Sequence, residues 1–167
     1  AVTNASNMFG DCHSLQTVTM PALPSVTNAS SMFNACRALQ AVTMPDLSSV
    51  TNASSMFYAC FALQTVTMPA LPAVTNASNM FGTTSEAACL RSLRKLTTGD
   101  LSDLTAGSTF VLQYTAIQEP EALDWVDSLG TSTNAITFDL RNNPFSPGAL
   151  VAPAILAKFP NSTVLMI

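Results

Sequence analysis

Residues 26–49 read V-T-N-A-S-S-M-F-N-A-C-R-A-L-Q-A-V-T-M-P-D-L-S-S, and residues 50–73 repeat this string with few changes. Another copy precedes them without a gap at residues 2–25, and residues 74–81 begin a fourth. The period is therefore 24 residues. Self-similarity at a fixed period of this length indicates a repeat architecture in which neighbouring units stack on one another.

One part of each repeat has the spacing of a short strand. Leu39, Val42 and Met44 follow the L-x-x-L-x-L pattern, in which alternate strand residues point inward. Pro45 comes next and should end the strand, because proline cannot donate a ladder hydrogen bond. The other two copies place the same residue types at Leu15, Val18, Met20 and Pro21, and at Leu63, Val66, Met68 and Pro69.

The other part of each repeat has helical spacing. Ala29, Met32, Phe33 and Cys36 lie at i, i+3, i+4 and i+7, which predicts one short helix with Thr27 or Asn28 as its N-cap. A single strand–turn–helix unit cannot bury its own apolar side. The sequence therefore predicts an α/β solenoid, a leucine-rich-repeat array with a short parallel sheet on one face and short helices on the other.

The repeat also resembles a known class of sequence. The string V-T-N-A-S-S-M-F-x-A-C-x-A-L-Q-x-V-T-M-P, present at 26–45 and 50–69, is similar to BspA-like leucine-rich repeats of surface proteins. Their pattern is close to V-T-N-M-S-x-M-F-x-G-C-x-S-L-x-x-L-x-L; here Ala35 and Ala59 replace the glycine, and the period is slightly shorter. The resemblance covers Val2 to about Phe81 and implies surface display, adhesion or matrix binding without enzymatic activity.

After Phe81 the period breaks at an insertion over residues 82–88. We expect residues 1–83 to form the regular repeats, and residues 84–167 to continue the same solenoid in degenerate, more helical repeats. Leu93, Leu96, Leu101 and Leu104 then return to the places of Leu15, Val18, Leu23 and Val26. Further along, the patterns predict strands at 110–114, 136–140 and 163–167, helices at 120–129 and 147–159, the latter bent at Pro153, and a turn bonded by Asn142 or Asn143.

Charge is scarce in the repeats. The charged fraction is 10%, well below the roughly 25% of ordinary soluble domains, and residues 1–83 contain only Asp11, Arg37 and Asp46. Solubility would then depend on Ser, Thr and Asn, on glycans, or on packing against a partner. The net charge of −4 and the absence of a basic cluster argue against nucleic acid or an anionic membrane as partner.

No apolar run approaches the ~20 residues that cross a bilayer, so membrane insertion is not expected. The first residues also lack the charged-then-apolar order of a signal peptide. The resemblance to surface proteins implies an extracellular or cell-surface location, and if the protein is secreted, this chain is its mature form.

Three cysteines, Cys12, Cys36 and Cys60, occupy the same position in successive repeats. Stacked helices lie about 8–10 Å apart, whereas a disulfide needs Cα atoms within about 7 Å. This spacing predicts a buried column of free thiols and disfavours a metal site, because His13 is the only histidine and is expected at the surface.

Four carboxylates, Glu119, Glu121, Asp124 and Asp127, lie along one predicted helix. The apolar residues between them define its buried face, so the acids are expected on its solvated side and not at a cation site. We also find no Ser–His–acid arrangement, phosphate-binding glycine loop or catalytic carboxylate pair. The sequence therefore predicts no enzymatic activity, no metal and no cofactor.

The sequon N-x-S/T is the clearest functional signal. Each repeat could instead use its asparagine only to cap the helix, although a side-chain oxygen can cap while the amide nitrogen carries a sugar. The position at an exposed helix start and the lack of nearby charge favour N-linked glycans. The candidate sites are Asn4, Asn28, Asn52, Asn76 and Asn161.

The concave strand face is the candidate ligand surface. A protein or carbohydrate could lie there; threonine columns are also typical of ice-binding surfaces, but threonine is common in strands for its propensity alone. The predicted outward residues are Gln16, Thr17 and Thr19, then Gln40, Ala41 and Thr43, then Gln64, Thr65 and Thr67.

Neither end of the sequence has the polar cap that closes most solenoids. This pattern predicts a homopolymer stacked head to tail, with a piece of a longer repeat protein as the alternative. Two functions follow: a structural subunit of an extracellular fibre or coat, or an adhesin that binds protein or carbohydrate through the concave sheet. The near-identical copies favour the structural role.

Overall fold

The chain contains two small parallel sheets and two short helices in a computed structural model that describes residues 1–82, 90–146 and 149–166. The first sheet has the order β1-β2-β3 and the second the order β4-β5-β6, and neither closes into a barrel within the described residues. The elements are β1 (Ala41–Thr43), β2 (Thr65–Thr67), β3 (Lys95–Thr97), β4 (Thr109–Val111), α1 (Glu119–Ser128), β5 (Thr137–Asp139), α2 (Val151–Lys158) and β6 (Thr163–Leu165).

The first sheet follows the predicted strand pattern. Val42, Val66 and Leu96 pair in register and are buried, whereas the residues beside them in each strand are more exposed. The return of the pattern after the insertion is therefore confirmed, because β3 pairs with β2 through Leu96. Residues 16–20 of the first repeat are not part of a strand, although the Gln40 N–H donates to the Gln16 carbonyl at 3.1 Å.

The predicted helix at Ala29–Cys36 is wrong. The Met32 N–H donates to the carbonyl of Ala29, and the Cys36 N–H to that of Phe33, so two tight turns follow one another. Ser31 and Ala35, the third residues of these turns, have φ of 55° and 58°, as a type II turn requires and an α-helix does not allow. In the other copies, left-handed residues recur at Asn7, Asp11, Ser55, Ala59 and Asn79.

Backbone hydrogen bonds join these turns to the next repeat. The N–H groups of Ala29, Ser31, Phe33 and Ala35 donate at 2.8–2.9 Å to carbonyls 23 residues further along, in the next repeat; the acceptors are Asn52, Ser54, Met56 and Tyr58. A helix would use the Phe33 and Ala35 donors within its own repeat. We call this series of bonds the turn ladder, and it places successive repeats at the strand spacing of about 4.8 Å.

The turn ladder stacks identical side chains on each other. The rings of Phe9, Phe33, Phe57 and Phe81 are nearly parallel, with centroids 5.1–5.6 Å apart. This offset stacking is the favourable geometry for aromatic rings, and the last three are fully buried. The column forms the centre of the apolar core of the repeats.

In the second half of the chain the sheet lies on the other side of the array. Phe110 of β4 packs on Phe81 at 5.6 Å, so the second sheet continues the turn-ladder side. On the other side, α1 packs against β3, and α2 packs against α1. The sheet therefore lies opposite the turn-ladder side in the first half of the chain and on that side in the second half, where the helices continue the side of the first sheet.

The later elements agree with the predicted types but are shorter. Strands predicted at 110–114, 136–140 and 163–167 correspond to β4, β5 and β6, and the helix at 120–129 to α1. The helix predicted at 147–159 corresponds to α2, with residues 147 and 148 outside the described range, as is residue 167. Pro153 is the third residue of α2, in the first turn, where its missing N–H leaves no helical hydrogen bond unmade.

Asn143 holds the predicted turn and bonds across repeats. Its Nδ2 donates to the carbonyls of Leu112 and Leu140 at 2.6 and 2.8 Å, and its Oδ1 accepts the backbone N–H of Thr115. The choice between Asn142 and Asn143 is thereby settled, because Asn142 is exposed with a φ of 62°.

Thr98 marks the junction between the two halves. It occupies the place of Met68 in the repeat, but its neighbour is Trp125 of α1, whose Nε1 donates to the Thr98 hydroxyl at 3.0 Å. Both residues are at least 99% buried. A threonine replaces methionine here because the indole N–H needs an acceptor once it is removed from water.

Replacing Thr98 with valine should therefore destabilise the protein by about 1–3 kcal/mol, because the shape is kept while the buried indole N–H loses its acceptor. The matched control is Thr97→Val, at a half-exposed strand position, which should change stability by less than about 0.5 kcal/mol. Urea unfolding of both variants measures the difference. Equal midpoints for the two variants would contradict the role of this hydrogen bond.

Candidate binding surface

The four repeated sequon asparagines lie in one column on the turn-ladder side. Asn4, Asn28, Asn52 and Asn76 form successive parallel bridges, so the prediction that each one caps a helix is wrong. The Oδ1 of each accepts the backbone N–H of the serine two residues later at 2.9–3.0 Å, which caps a turn instead. Their Nδ2 atoms make no hydrogen bond to another described residue.

A second column runs beside the asparagines. The hydroxyls of Thr27, Thr51, Thr75 and Thr105 each donate to the carbonyl of the threonine one repeat earlier, at 2.9–3.3 Å. All four are exposed. We call these two columns the Thr-Asn strip; its hydroxyls are already used within the fold, whereas the asparagine amide nitrogens bond to no described residue, with Asn4 exposed and the other three asparagines half-buried.

Asn161 differs from the other sequons. It is exposed, but its Nδ2 donates to the Thr133 carbonyl at 2.7 Å. The nitrogen that would carry a sugar is therefore occupied by a contact between neighbouring repeats. Of the five candidate sites, the four in the strip thus have amide nitrogens without a hydrogen bond to a described residue, whereas that of Asn161 is hydrogen-bonded.

The three cysteines of the repeats are free, as predicted, but the prediction of a buried column is wrong for Cys12. Cys36 and Cys60 are buried and Cys12 is exposed. Turn-ladder spacing brings neighbouring cysteines within disulfide range, so the helix-distance argument does not hold. Each buried thiol instead donates to the phenylalanine carbonyl of the preceding repeat, Cys36 to Phe9 and Cys60 to Phe33, at 3.0 Å.

Burial also makes these thiols unreactive. It raises the pKa of Cys36 to about 11 and that of Cys60 to about 12, and the thiol of the preceding repeat adds to both shifts. At neutral pH both side chains stay protonated, and the thiolate is the reactive form. Cys89 lies outside the described residues.

His13 and the acids of α1 do not build a metal site. His13 is exposed, as predicted, and its Nδ1 lies 2.9 Å from the Ala35 carbonyl. Asp124 and Asp127 are exposed, whereas Glu119 accepts the Leu150 N–H through Oε1 at 2.9 Å. Among the described residues no group of three or more His, Cys, Asp or Glu could hold a metal ion.

One buried acid went unnoticed in the sequence. Asp139 of β5 is only 2% exposed. Its carboxylate accepts two hydrogen bonds from Arg141, from Nε at 2.9 Å and from Nη2 at 2.8 Å. Burial alone would raise the pKa of Asp139, but the hydrogen bonds and the charge of Arg141 hold that pKa below its usual range. The pair is a structural contact of the second sheet.

The predicted ligand surface is the outer face of the first sheet. Gln40, Thr43, Gln64 and Thr67 are exposed there, and Thr65 is half-buried. Gln16, Thr17 and Thr19 are exposed too, but they precede the sheet and are not in a strand. A cleft of about 340 Å³ separates residues 18–20 from residues 41–45 at the free edge of β1.

The outer face also carries basic residues that the sequence analysis overlooked. Arg94 and Lys95 at the start of β3 are exposed next to Gln64 and Thr65. In the preceding repeats, Arg37 lies over the ring of Phe61, 6.0 Å from its centroid, and Phe61 is 38% exposed. The expectation that the chain lacks a basic cluster was therefore wrong: the segment R-S-L-R-K at residues 91–95 holds three of its six basic residues.

A model of the family described as "Mycoplasma protein of unknown function, DUF285" matches residues 1–91, which include the regular repeats. No curated protein matches the chain, and neither does any solved structure. Within the part of the chain that the structure describes, no helix has the length and apolar character needed to cross a bilayer.

Proposed function

The chain belongs to the DUF285 family, and we propose that it is a non-catalytic structural subunit of an extracellular fibre or coat. In this proposal the stacked repeats form a leucine-rich-repeat solenoid of the BspA-like kind, which acts as a rod. It needs no cofactor or metal. Copies of the rod stack head to tail on the cell surface or beyond it.

The observation that carries this proposal is the unbroken bonding between repeats. The turn ladder and the Thr-Asn strip bond each repeat to the next from Thr3 to Thr105, and aromatic contacts continue from Phe9 to Phe159. An array joined by backbone hydrogen bonds on one side and a sheet on the other resists bending and shear. Such stiffness suits a structural element.

The first repeat has apolar residues that a further coil would cover, whether that coil came from a second copy, as we propose, or from a longer repeat protein. Met8 is 43% exposed, whereas Met32, Met56 and Met80, its counterparts, are buried between repeats. Phe9, Leu15, Val18 and Met20 are also only partly buried. A coil seated on this face would bury them at about 25 cal/mol per Å² of apolar surface.

Electron micrographs of the purified protein should therefore show rods whose length increases with concentration in steps of one molecule. Met8→Asp places a charge on the open face and should leave single particles, whereas the control Met8→Leu should keep assembling. Uniform single particles of the unaltered protein at every concentration would contradict head-to-tail assembly.

The proposal also includes N-linked glycosylation, and the geometry of the Thr-Asn strip limits how many of its asparagines can carry a glycan. Successive sequon asparagines are bridge partners and so lie about 4.8 Å apart. A branched oligosaccharide is wider than one such step. Neighbouring asparagines therefore cannot both carry glycans in the folded array.

Folded protein secreted from eukaryotic cells should carry at most two glycans on the four strip asparagines, as measured by intact mass. Ser30→Ala with Ser78→Ala removes alternate sequons and keeps the turn caps, because each cap uses the serine backbone N–H; this variant should be fully glycosylated at Asn4 and Asn52. A bare-chain mass rejects glycosylation, and three or four strip glycans reject the crowding argument.

A second function, recognition of protein or carbohydrate through the sheet face, is favoured by one observation. The uniform columns of Gln and Thr end at the exposed residues Arg94 and Lys95, and the repeat before them has an exposed aromatic ring at Phe61, three residues ahead of Gln64. Exposed charged and aromatic residues on an otherwise uniform surface are typical of binding sites. A rod with such a face could display it repeatedly along a fibre.

A further inference from the structure

We propose that the sheet face binds an acidic polysaccharide, a sugar chain bearing carboxylate or sulfate groups, at the surface formed by Arg37, Phe61, Gln64, Arg94 and Lys95. We call these five residues the basic face. The inference rests on the second function above, recognition through the sheet, and names the chemistry of the ligand. It is independent of rod assembly.

The register of the sheet brings Gln64, Arg94 and Lys95 together, and Phe61 lies three residues before Gln64 in the same repeat. The N–H groups of Arg94 and Lys95 both donate to the Gln64 carbonyl, which sets the two cations one strand step, about 4.8 Å, beyond Gln64 and Thr65. Gln40 lies one step earlier, because its carbonyl accepts the Gln64 N–H. An extended ligand that crosses the strands would meet two amide side chains and then two positive charges.

The charges of the basic face are available for a ligand. In the described part of the chain neither Arg94 nor Lys95 forms a salt bridge. The acids that follow the strands, Asp46 and Asp100, lie past the strand ends and accept the N–H groups of Ser48 and Ser102. The whole chain is acidic, with a net charge of −4, so this positive surface contrasts with its surroundings.

Each residue of the basic face matches one feature of an acidic sugar. The Phe61 ring, held beneath Arg37, offers an apolar surface for the C–H face of a pyranose. The Gln40 and Gln64 amides both donate and accept hydrogen bonds, as sugar hydroxyls do. The Arg94 guanidinium can bind a carboxylate or sulfate through two parallel hydrogen bonds, and Lys95 adds a second positive charge.

The same features disfavour nucleic acid. Tight binding to its backbone neutralises many phosphates, and base recognition on single strands uses several stacked aromatic rings. The basic face has three cations and one exposed ring. A polymer that combines hydroxyl groups with spaced anions fits this composition better.

Titration calorimetry of the full chain with polygalacturonate, dextran sulfate and neutral dextran tests the proposal. We expect binding to at least one of the two acidic polymers, weakened by salt, and none to dextran. Arg94→Gln with Lys95→Gln should weaken it at least tenfold, and Phe61→Ala should weaken it without changing the net charge. Thr131→Glu with Thr133→Glu shifts the net charge by the same −2 at exposed positions elsewhere and should retain binding.

Four results would overturn the inference. They are no binding to either acidic polymer, equal loss in the double variant and its charge-matched control, equal binding to single-stranded DNA, and binding to dextran that the double variant retains. Binding to dextran that the double variant retains would still support carbohydrate recognition by the sheet, but with a neutral ligand. None of the four bears on rod assembly, which the micrographs test separately.

Discussion

Backbone hydrogen bonds between the turns of neighbouring repeats are the constraint on which the rest of this structure depends. They form only if two residues per repeat adopt positive φ, a conformation that costs a non-glycine residue roughly 1–2 kcal/mol. Ala35 and Ala59 hold this conformation at the position where the BspA-like pattern has glycine. The family glycine thus has a conformational explanation, and here the bonds to the next repeat offset the cost of alanine.

In-register stacking also explains why the repeats contain so little charge. Any charged residue of the repeated unit would lie about 4.8 Å from its own copies, and each like pair costs about 1 kcal/mol even at the dielectric constant of water. Neutral Thr, Asn, Gln, Phe and Cys instead bond or stack with themselves. Charges occur where neighbouring repeats differ, as at Arg94 and Lys95 beside Gln64 and Thr65. Those irregular positions are also where the candidate binding face arises.

The sequence predicted the strands well and the turns poorly, for a physical reason. The spacing of Leu39, Val42 and Met44 is compatible only with a strand, and the structure has β1 there. The spacing of Ala29, Met32, Phe33 and Cys36 fits one face of a helix, but it equally fits the first and last residues of two four-residue turns. Periodicity cannot distinguish a short helix from two successive turns, because both structures point the same residues inward. The basic segment at residues 91–95 is contiguous and could have been noticed in the sequence, whereas its position next to Gln64 follows only from the sheet register.

The central claim is that the turns bond between repeats and not within a helix, and hydrogen-bond couplings measured by NMR test it most directly. The account predicts couplings from the amide nitrogens of Ala29, Ser31 and Phe33 to the carbonyl carbons of Asn52, Ser54 and Met56. Couplings from the amide nitrogens of Phe33 and Ala35 to the carbonyl carbons of Ala29 and Ser31, four residues earlier in the same repeat, would show a helix and contradict the account.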